Sequence, residues 1–131
     1  MSIFGRSVSV RAVTAAVAVL VVAALLPVTS KTPSREITLV ARGMAFYLEG
    51  DPGTPNPTIR VGRGETVRVV LRNQDRGMTH DFAVPAFSEA LDPVGWDRTG
   101  DVTFDVPDTP GTYAYVCRPH MLMMRGTLVV E

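Results

Sequence analysis

From about residue 32 onward this sequence predicts an all-β sandwich of about seven to eight strands, preceded by an N-terminal hydrophobic helix. Two observations carry the sandwich. Short runs alternate apolar and polar residues, and clusters of Gly, Pro, Asn and Asp separate them at close intervals across only about a hundred residues. A third carries the helix: an almost unbroken apolar run from Ala12 to Val28 follows Arg6 and Arg11.

Those seventeen apolar residues reach about 26 Å as a helix at ~1.5 Å per residue, close to but short of a full bilayer core. The arginines supply a positive n-region, so residues 1–31 read as a signal peptide or a retained N-terminal membrane anchor. Around Pro27-Val-Thr-Ser30 there is no clean Ala-x-Ala for cleavage and no cysteine for a lipid, which favours the anchor, its positive end in the cytoplasm. A buried core helix fits poorly with the flanking arginines and the extreme N-terminal position. Either way residues 32–131 form one domain outside the cytoplasm, in the periplasm or on the outer face of the cytoplasmic membrane.

The strands follow in order. Glu36 to Ala41 opens the domain, Met44 to Tyr47 continues after Gly43, and Asp51-Pro-Gly-Thr-Pro-Asn-Pro57 is a loop by its density of turn formers. Thr58 to Val61 is a short strand before Gly62-Arg-Gly64. In Thr66-Val-Arg-Val-Val-Leu-Arg-Asn73, Val67, Val69 and Leu71 alternate with Thr66, Arg68 and Arg72, with Val70 as the exception; this is a strand with one buried face. Gln74 to Gly77 turns the chain, and His80 to Val84 is a strand ended by Pro85. Ala86 to Gly100 has no strong period and reads as loop, with one helical turn at Ser88 to Leu91 capped by the serine. Asp101 to Val106 alternates again, Asp108-Thr-Pro-Gly111 turns, and Thr112 to Cys117 and Gly126 to Val130 complete the set.

Composition bounds the function. The chain has 131 residues, 46% hydrophobic, with thirteen basic and thirteen acidic side chains. That allows one small domain. From Lys31 onward the balance is eleven basic to thirteen acidic with no basic run or stripe, so nucleic-acid binding leaves no footprint. A single cysteine in an exported domain offers no internal disulfide.

The informative residues lie near the end of the chain. Cys117 is the only cysteine, His80 and His120 are the only histidines, and Met121, Met123 and Met124 follow His120. One thiolate, two imidazoles and a thioether are the donors of a mononuclear electron-transfer copper site, in which a soft thiolate and borderline imidazoles accommodate both oxidation states. Cys117, His120 and a following methionine can curl around one ion in a single turn, while His80 arrives from elsewhere in the fold. Taken singly, a buried cysteine is usually apolar filler, a histidine a surface or satisfied core residue, and a methionine packing. Their spacing and strand context together point to metal. Trp96, Phe82, Phe104 and Tyr115 read as core or loop packing.

These residues resemble the cupredoxins, nearest to the plastocyanin and amicyanin group. The resemblance rests on Asn73 to His80, Gly111-Thr-Tyr-Ala-Tyr-Val-Cys117, Pro119-His120 and Met124-Arg-Gly-Thr-Leu-Val-Val-Glu131, and covers essentially all of Glu36 to Glu131. It implies a Greek-key sandwich with one type 1 blue copper per chain, a monomeric carrier, and single-electron shuttling between larger redox proteins. It also implies His80, Cys117 and His120 as ligands. For the axial position, counting forward from the cysteine as in amicyanin selects Met123, whereas counting back from the glycine of the final strand selects Met124. Strand pairing fixes register while a loop absorbs an extra residue, so Met124 is the expected ligand.

One departure stands out. The relatives usually carry Asn after the upstream histidine, where this chain has Asp81. A carboxylate accepts from backbone amides but cannot donate. Asp81, helped by Arg118, is expected to tie the two ligand loops together and to favour the oxidised ion. In the relatives the second histidine presents an edge within an apolar patch; Met121, Met123 and Pro85 are expected around His120, as a face for transient docking of redox partners. No enzyme is expected. A multicopper enzyme needs further histidines and a dinuclear copper site needs two cysteines. The competing reading is an extracytoplasmic copper chaperone or store using the same ligands.

Overall fold

The computed structural model describes residues 32–131. The expected hydrophobic helix, and with it the choice between anchor and signal peptide, lies outside the described residues. Among the described residues no helix is long and apolar enough to cross a membrane.

Among the described residues nine strands form: β1 (Arg35–Arg42), β2 (Ala45–Leu48), β3 (Ile59–Val61), β4 (Thr66–Asn73), β5 (Ala83–Val84), β6 (Glu89–Ala90), β7 (Thr99–Asp105), β8 (Gly111–Val116) and β9 (Arg125–Val130). They make two sheets, one of four strands in the order β2-β1-β4-β7 and one of five in the order β3-β9-β8-β5-β6. The β1–β4 and β3–β9 pairs are parallel and the rest antiparallel. Consecutive strands repeatedly change sheets, so no single hairpin ladder holds the sandwich together; the apolar layer between the sheets does.

Alternation explains that layer. Val67, Val69 and Leu71 of β4 are buried, as are Leu39 and Ala41 of β1 and Leu128 and Val130 of β9. Their polar neighbours point outward, as expected for strands with one face on a core. Val70, the exception to the pattern, is also buried; it lies on the central strand between Thr38 and Asp101 of the flanking strands. An aromatic group fills the middle of the core. Phe46 meets Phe82 and Tyr115 with ring centroids 6.2 and 5.5 Å away, and Phe82 stacks on Tyr115 at 5.4 Å.

The expected elements differ from the structure in one region. The His80–Val84 strand is shorter, only Ala83–Val84, and His80 lies outside the sheets, held by an isolated antiparallel bridge to Val94. Pro85–Phe87 is a 3-10 turn, and Ser88 closes it in a left-handed conformation (φ 55°), its amide donating to the Pro85 carbonyl. Ser88 therefore ends a turn instead of capping a helix at Ser88–Leu91, and the chain goes directly into β6. Proline supplies the fixed φ that starts such a turn. Trp96 is half exposed, with the Arg76 guanidinium 5.1 Å over its ring, whereas Phe82, Phe104 and Tyr115 are buried as expected.

Candidate metal centre

Two loops bring the expected ligands together. The first leaves β4 at Asn73, whose buried side chain organises it: Nδ2 donates to the carbonyls of Met78 and Val94 at 2.8 Å each, and Oδ1 accepts the Asp75 amide at 2.8 Å. His80 follows, fixed by reciprocal backbone hydrogen bonds with Val94 of 3.0 and 2.7 Å. The second loop leaves β8 at Cys117 and returns at β9. It is wound tightly, because the His120 amide donates to the Cys117 carbonyl, the Met124 amide to the His120 carbonyl, and the Cys117 amide to the Met124 carbonyl.

Cys117 Sγ lies 3.6 Å from Nδ1 of His80 and 3.6 Å from Nδ1 of His120. One donor atom from each of the three residues falls within 4.8 Å of the others. A separation of 3.6 Å fits nitrogen and sulfur donors sharing one ion, given metal bonds of about 2.0–2.3 Å. His80, Cys117 and Met124 are fully buried, while His120 is partly exposed. Met123 is 60% exposed and Met121 47%, so of the three methionines only Met124 belongs to the interior. The donor chemistry also fits copper: a soft sulfur, two imidazole nitrogens and a buried thioether.

The groups behind the ligands are all paired. The Asp81 amide donates to Cys117 Sγ at 3.5 Å. The buried Asp81 carboxylate accepts the Arg118 amide at 2.7 Å and Arg118 Nε at 2.6 Å, so it ties the two ligand loops together. Burial pushes the Cys117 thiol above its ordinary value, and the Asp81 carboxylate adds to this, while the amides of Asp81 and His120 oppose it. His80 Nε2 lies 2.9 Å from Asp75 Oδ2. Burial of Asp75 disfavours its charge, but the amides of Met44 and Gly43 together with His80 outweigh that and hold its carboxyl below the usual carboxylate range.

Two residues with roles here were not singled out in the sequence. Asp75 reads as an ordinary turn former, and only its placement between a strand end and a ligand histidine hints at more. Asn73 marked the strand end that carries the resemblance, but its hydrogen bonds to Met78, Val94 and Asp75 were not foreseen. Leu122, 97% exposed, sits with Pro119, His120, Met121 and Met123 around a shallow apolar depression. Pro85 does not line it; it opens the 3-10 turn instead.

Known structures share this fold. Auracyanin B superposes with a TM-score of 0.62 at 23% identity, over 79% of this chain and 94% of its own. Auracyanin A, a "blue" copper protein from the green thermophilic photosynthetic bacterium Chloroflexus aurantiacus, gives 0.58 at 22% identity over 73% and 98%. A chain of a heme-copper terminal oxidase dimer gives 0.59 at 17% identity over 92% of each. No curated protein matches at the level of sequence. The sequence pattern of the cupredoxin-like domain matches residues 14–130. With nine strands in two sheets and donors converging between two loops, the chain belongs to the cupredoxin-like family, whose members bind one copper, and His80, Cys117, His120 and Met124 form its potential copper site.

Proposed function

We propose that the protein is a one-electron carrier working outside the cytoplasm. In this reading it holds one copper through His80, Cys117 and His120, with Met124 as the weak axial donor. The observation that carries it is the approach of Cys117 Sγ to within 3.6 Å of Nδ1 on both histidines of the chain. When bound, copper supplies a centre that takes up and gives back a single electron.

The chain's own residues do the rest. The Asp81 amide steadies the sulfur, and the Asp81–Arg118 pair holds the cysteine loop against the His80 loop. Donors fixed in this way need little rearrangement when the charge of the site changes, which keeps electron transfer fast. Burial of His80, Cys117 and Met124 excludes water from one side. His120 is partly exposed within an apolar rim, and this gives a redox partner a short path to the site. The weakly held, transient contacts such a carrier needs suit a small apolar face on a monomer. A catalytic copper enzyme would need more ligands, and with its cysteine and both histidines committed the chain has none to give. The hydrophobic N-terminal segment would export the domain and, if retained, tether it to the membrane.

The test is spectroscopic. The purified protein titrated with divalent copper should bind one equivalent, turn intensely blue and cycle reversibly by one electron, and Cys117→Ser should abolish the colour. A colourless complex that exchanges its copper freely would favour the chaperone or store. Failure to bind copper at all would leave only a metal-free sandwich.

A further inference from the structure

We infer that Asp75 is a positioning residue of the metal centre, which holds His80 in the tautomer that leaves Nδ1 free to bind and anchors that histidine to the turn between β1 and β2. The inference rests on the copper reading for its meaning, but its geometry stands apart from it. The His80 side chain is fully buried, so each ring nitrogen must find its partner within the protein. Nε2 faces Asp75 Oδ2 at 2.9 Å. An ionised carboxylate only accepts, so in the neutral ring the hydrogen resides on Nε2 and the lone pair on Nδ1, the atom that faces Cys117 Sγ.

Asp75 is itself clamped. Its Oδ1 accepts the Gly43 amide at 2.6 Å and its Oδ2 the Met44 amide at 3.0 Å, while its own amide donates to Asn73. Gly43 and Met44 have φ of 58° and 61°. Two successive left-handed residues turn both amides toward one carboxylate, and for Met44, which has a side chain, that conformation is unfavourable. A strained turn aimed at a carboxylate that in turn meets a buried imidazole is more than a surface loop requires. The chain of contacts runs from the four-stranded sheet, through the β1–β2 turn and Asp75, to a ligand on the segment leading into the five-stranded sheet.

Two consequences follow. The binding nitrogen is oriented before any metal arrives, so less ordering is left for the binding step. A negative charge on the far side of the ring also makes Nδ1 a stronger donor, favouring the more highly charged oxidised ion.

The experiment compares the wild-type protein with Asp75→Asn and Asp75→Ala, first without metal and then with divalent copper, after thermal unfolding has verified that each variant folds. In the metal-free wild type, nitrogen-15 ring shifts should report a single Nε2-protonated tautomer for His80. In Asp75→Ala they should report a mixture, with Asp75→Asn between the two. Copper should then bind roughly ten- to a hundredfold more weakly and show a raised reduction potential in the variants. A purely structural clamp would lower the melting temperature but leave the tautomer alone. An unchanged His80 tautomer in a folded Asp75→Ala protein therefore overturns the proposal. If the tautomer shifts but the wild type takes up no copper, the copper reading falls while the hold of Asp75 on His80 stands.

Discussion

Met123 and Met124 are adjacent in sequence yet inhabit different environments. Met124 is fully buried, its amide bonded to the His120 carbonyl and its carbonyl to the Cys117 amide, whereas Met123 is 60% exposed and its carbonyl accepts Asn56 Nδ2. Leu and Met have similar volumes, so Met124→Leu should cost under about 1.5 kcal/mol in stability. It nevertheless removes the one fully buried thioether among the described residues. A redox titration should find its potential raised, since a weak donor that favours the oxidised ion is lost, and Met123→Leu should match the wild type. The reverse pattern would transfer the axial role to Met123. Asp81 poses a second question at the same scale. Its position after His80 was legible as a departure from the family pattern, and the sequence suggested Arg118 as its helper; what no sequence pattern conveys is that both carboxylate oxygens accept from Arg118. Asp81→Asn deletes a buried charge and sets an amide donor against Arg118 Nε. A rise in potential together with a loss of about 1–3 kcal/mol on chemical denaturation is expected, and an unchanged potential would count against a role for Asp81 in favouring the oxidised ion.

At the scale of elements, the join between β8 and β9 links the core to the ligand loop. Tyr115 pairs with Gly126 across the two strands, and a Cβ on residue 126 would come 2.1 Å from Tyr115 Cζ. The ring cannot move aside freely, because it packs on Phe46 and Phe82 and its hydroxyl donates to the Pro57 carbonyl at 2.5 Å. Gly126→Ala should therefore destabilise by about 1–3 kcal/mol or more in denaturant melts, and because β9 begins directly after Met124 it should also perturb the visible spectrum of the copper form. Tyr115→Phe keeps the packing and should cost about 1–3 kcal/mol by leaving the buried Pro57 carbonyl without a donor. The strands most legible in the sequence are those in which alternation over several residues leaves a clear period, as in β4 and the Asp101–Asp105 part of β7. The stretch between His80 and Gly100 was not legible in this way. A two-residue strand such as β5 or β6 has no period to read, and the His80–Val94 bridge exists only because Asn73 gathers Met78 and Val94 from separate parts of the chain. The same limit hid Asp75, since the amides that make it more than a turn residue lie some thirty positions earlier.

Over the whole molecule, the uncharged segment from Pro119 to Met123, flanked by the exposed Arg118 and Arg125, contrasts with the charged outer face of the four-stranded sheet. Residues 32–131 carry ten basic and thirteen acidic side chains, and several pair across the outer face of the four-stranded sheet, as Arg68 does with Glu36 and Asp101 and Arg72 with Glu49. From Pro119 to Met123 there is no charged residue, and Met121, Leu122 and Met123 are all exposed. Contact through this face should gain from burying apolar area, with little electrostatic steering from a molecule of small net charge. Electron self-exchange between two copies, measured by NMR line broadening in mixtures of the oxidised and reduced protein, tests this without requiring knowledge of the natural partner. In the wild type the rate should change little between low and physiological ionic strength. Leu122→Asp places a charge at the most exposed point of the rim, where it must lose water on contact and faces its own copy. Every 1.4 kcal/mol of that cost is a factor of about ten, so exchange should slow by roughly tenfold or more and become faster as salt is added. The residue is 97% exposed and touches no ligand, so absorption and potential should stay as in the wild type. Unchanged exchange in Leu122→Asp would place the path for electrons somewhere other than the apolar face beside His120.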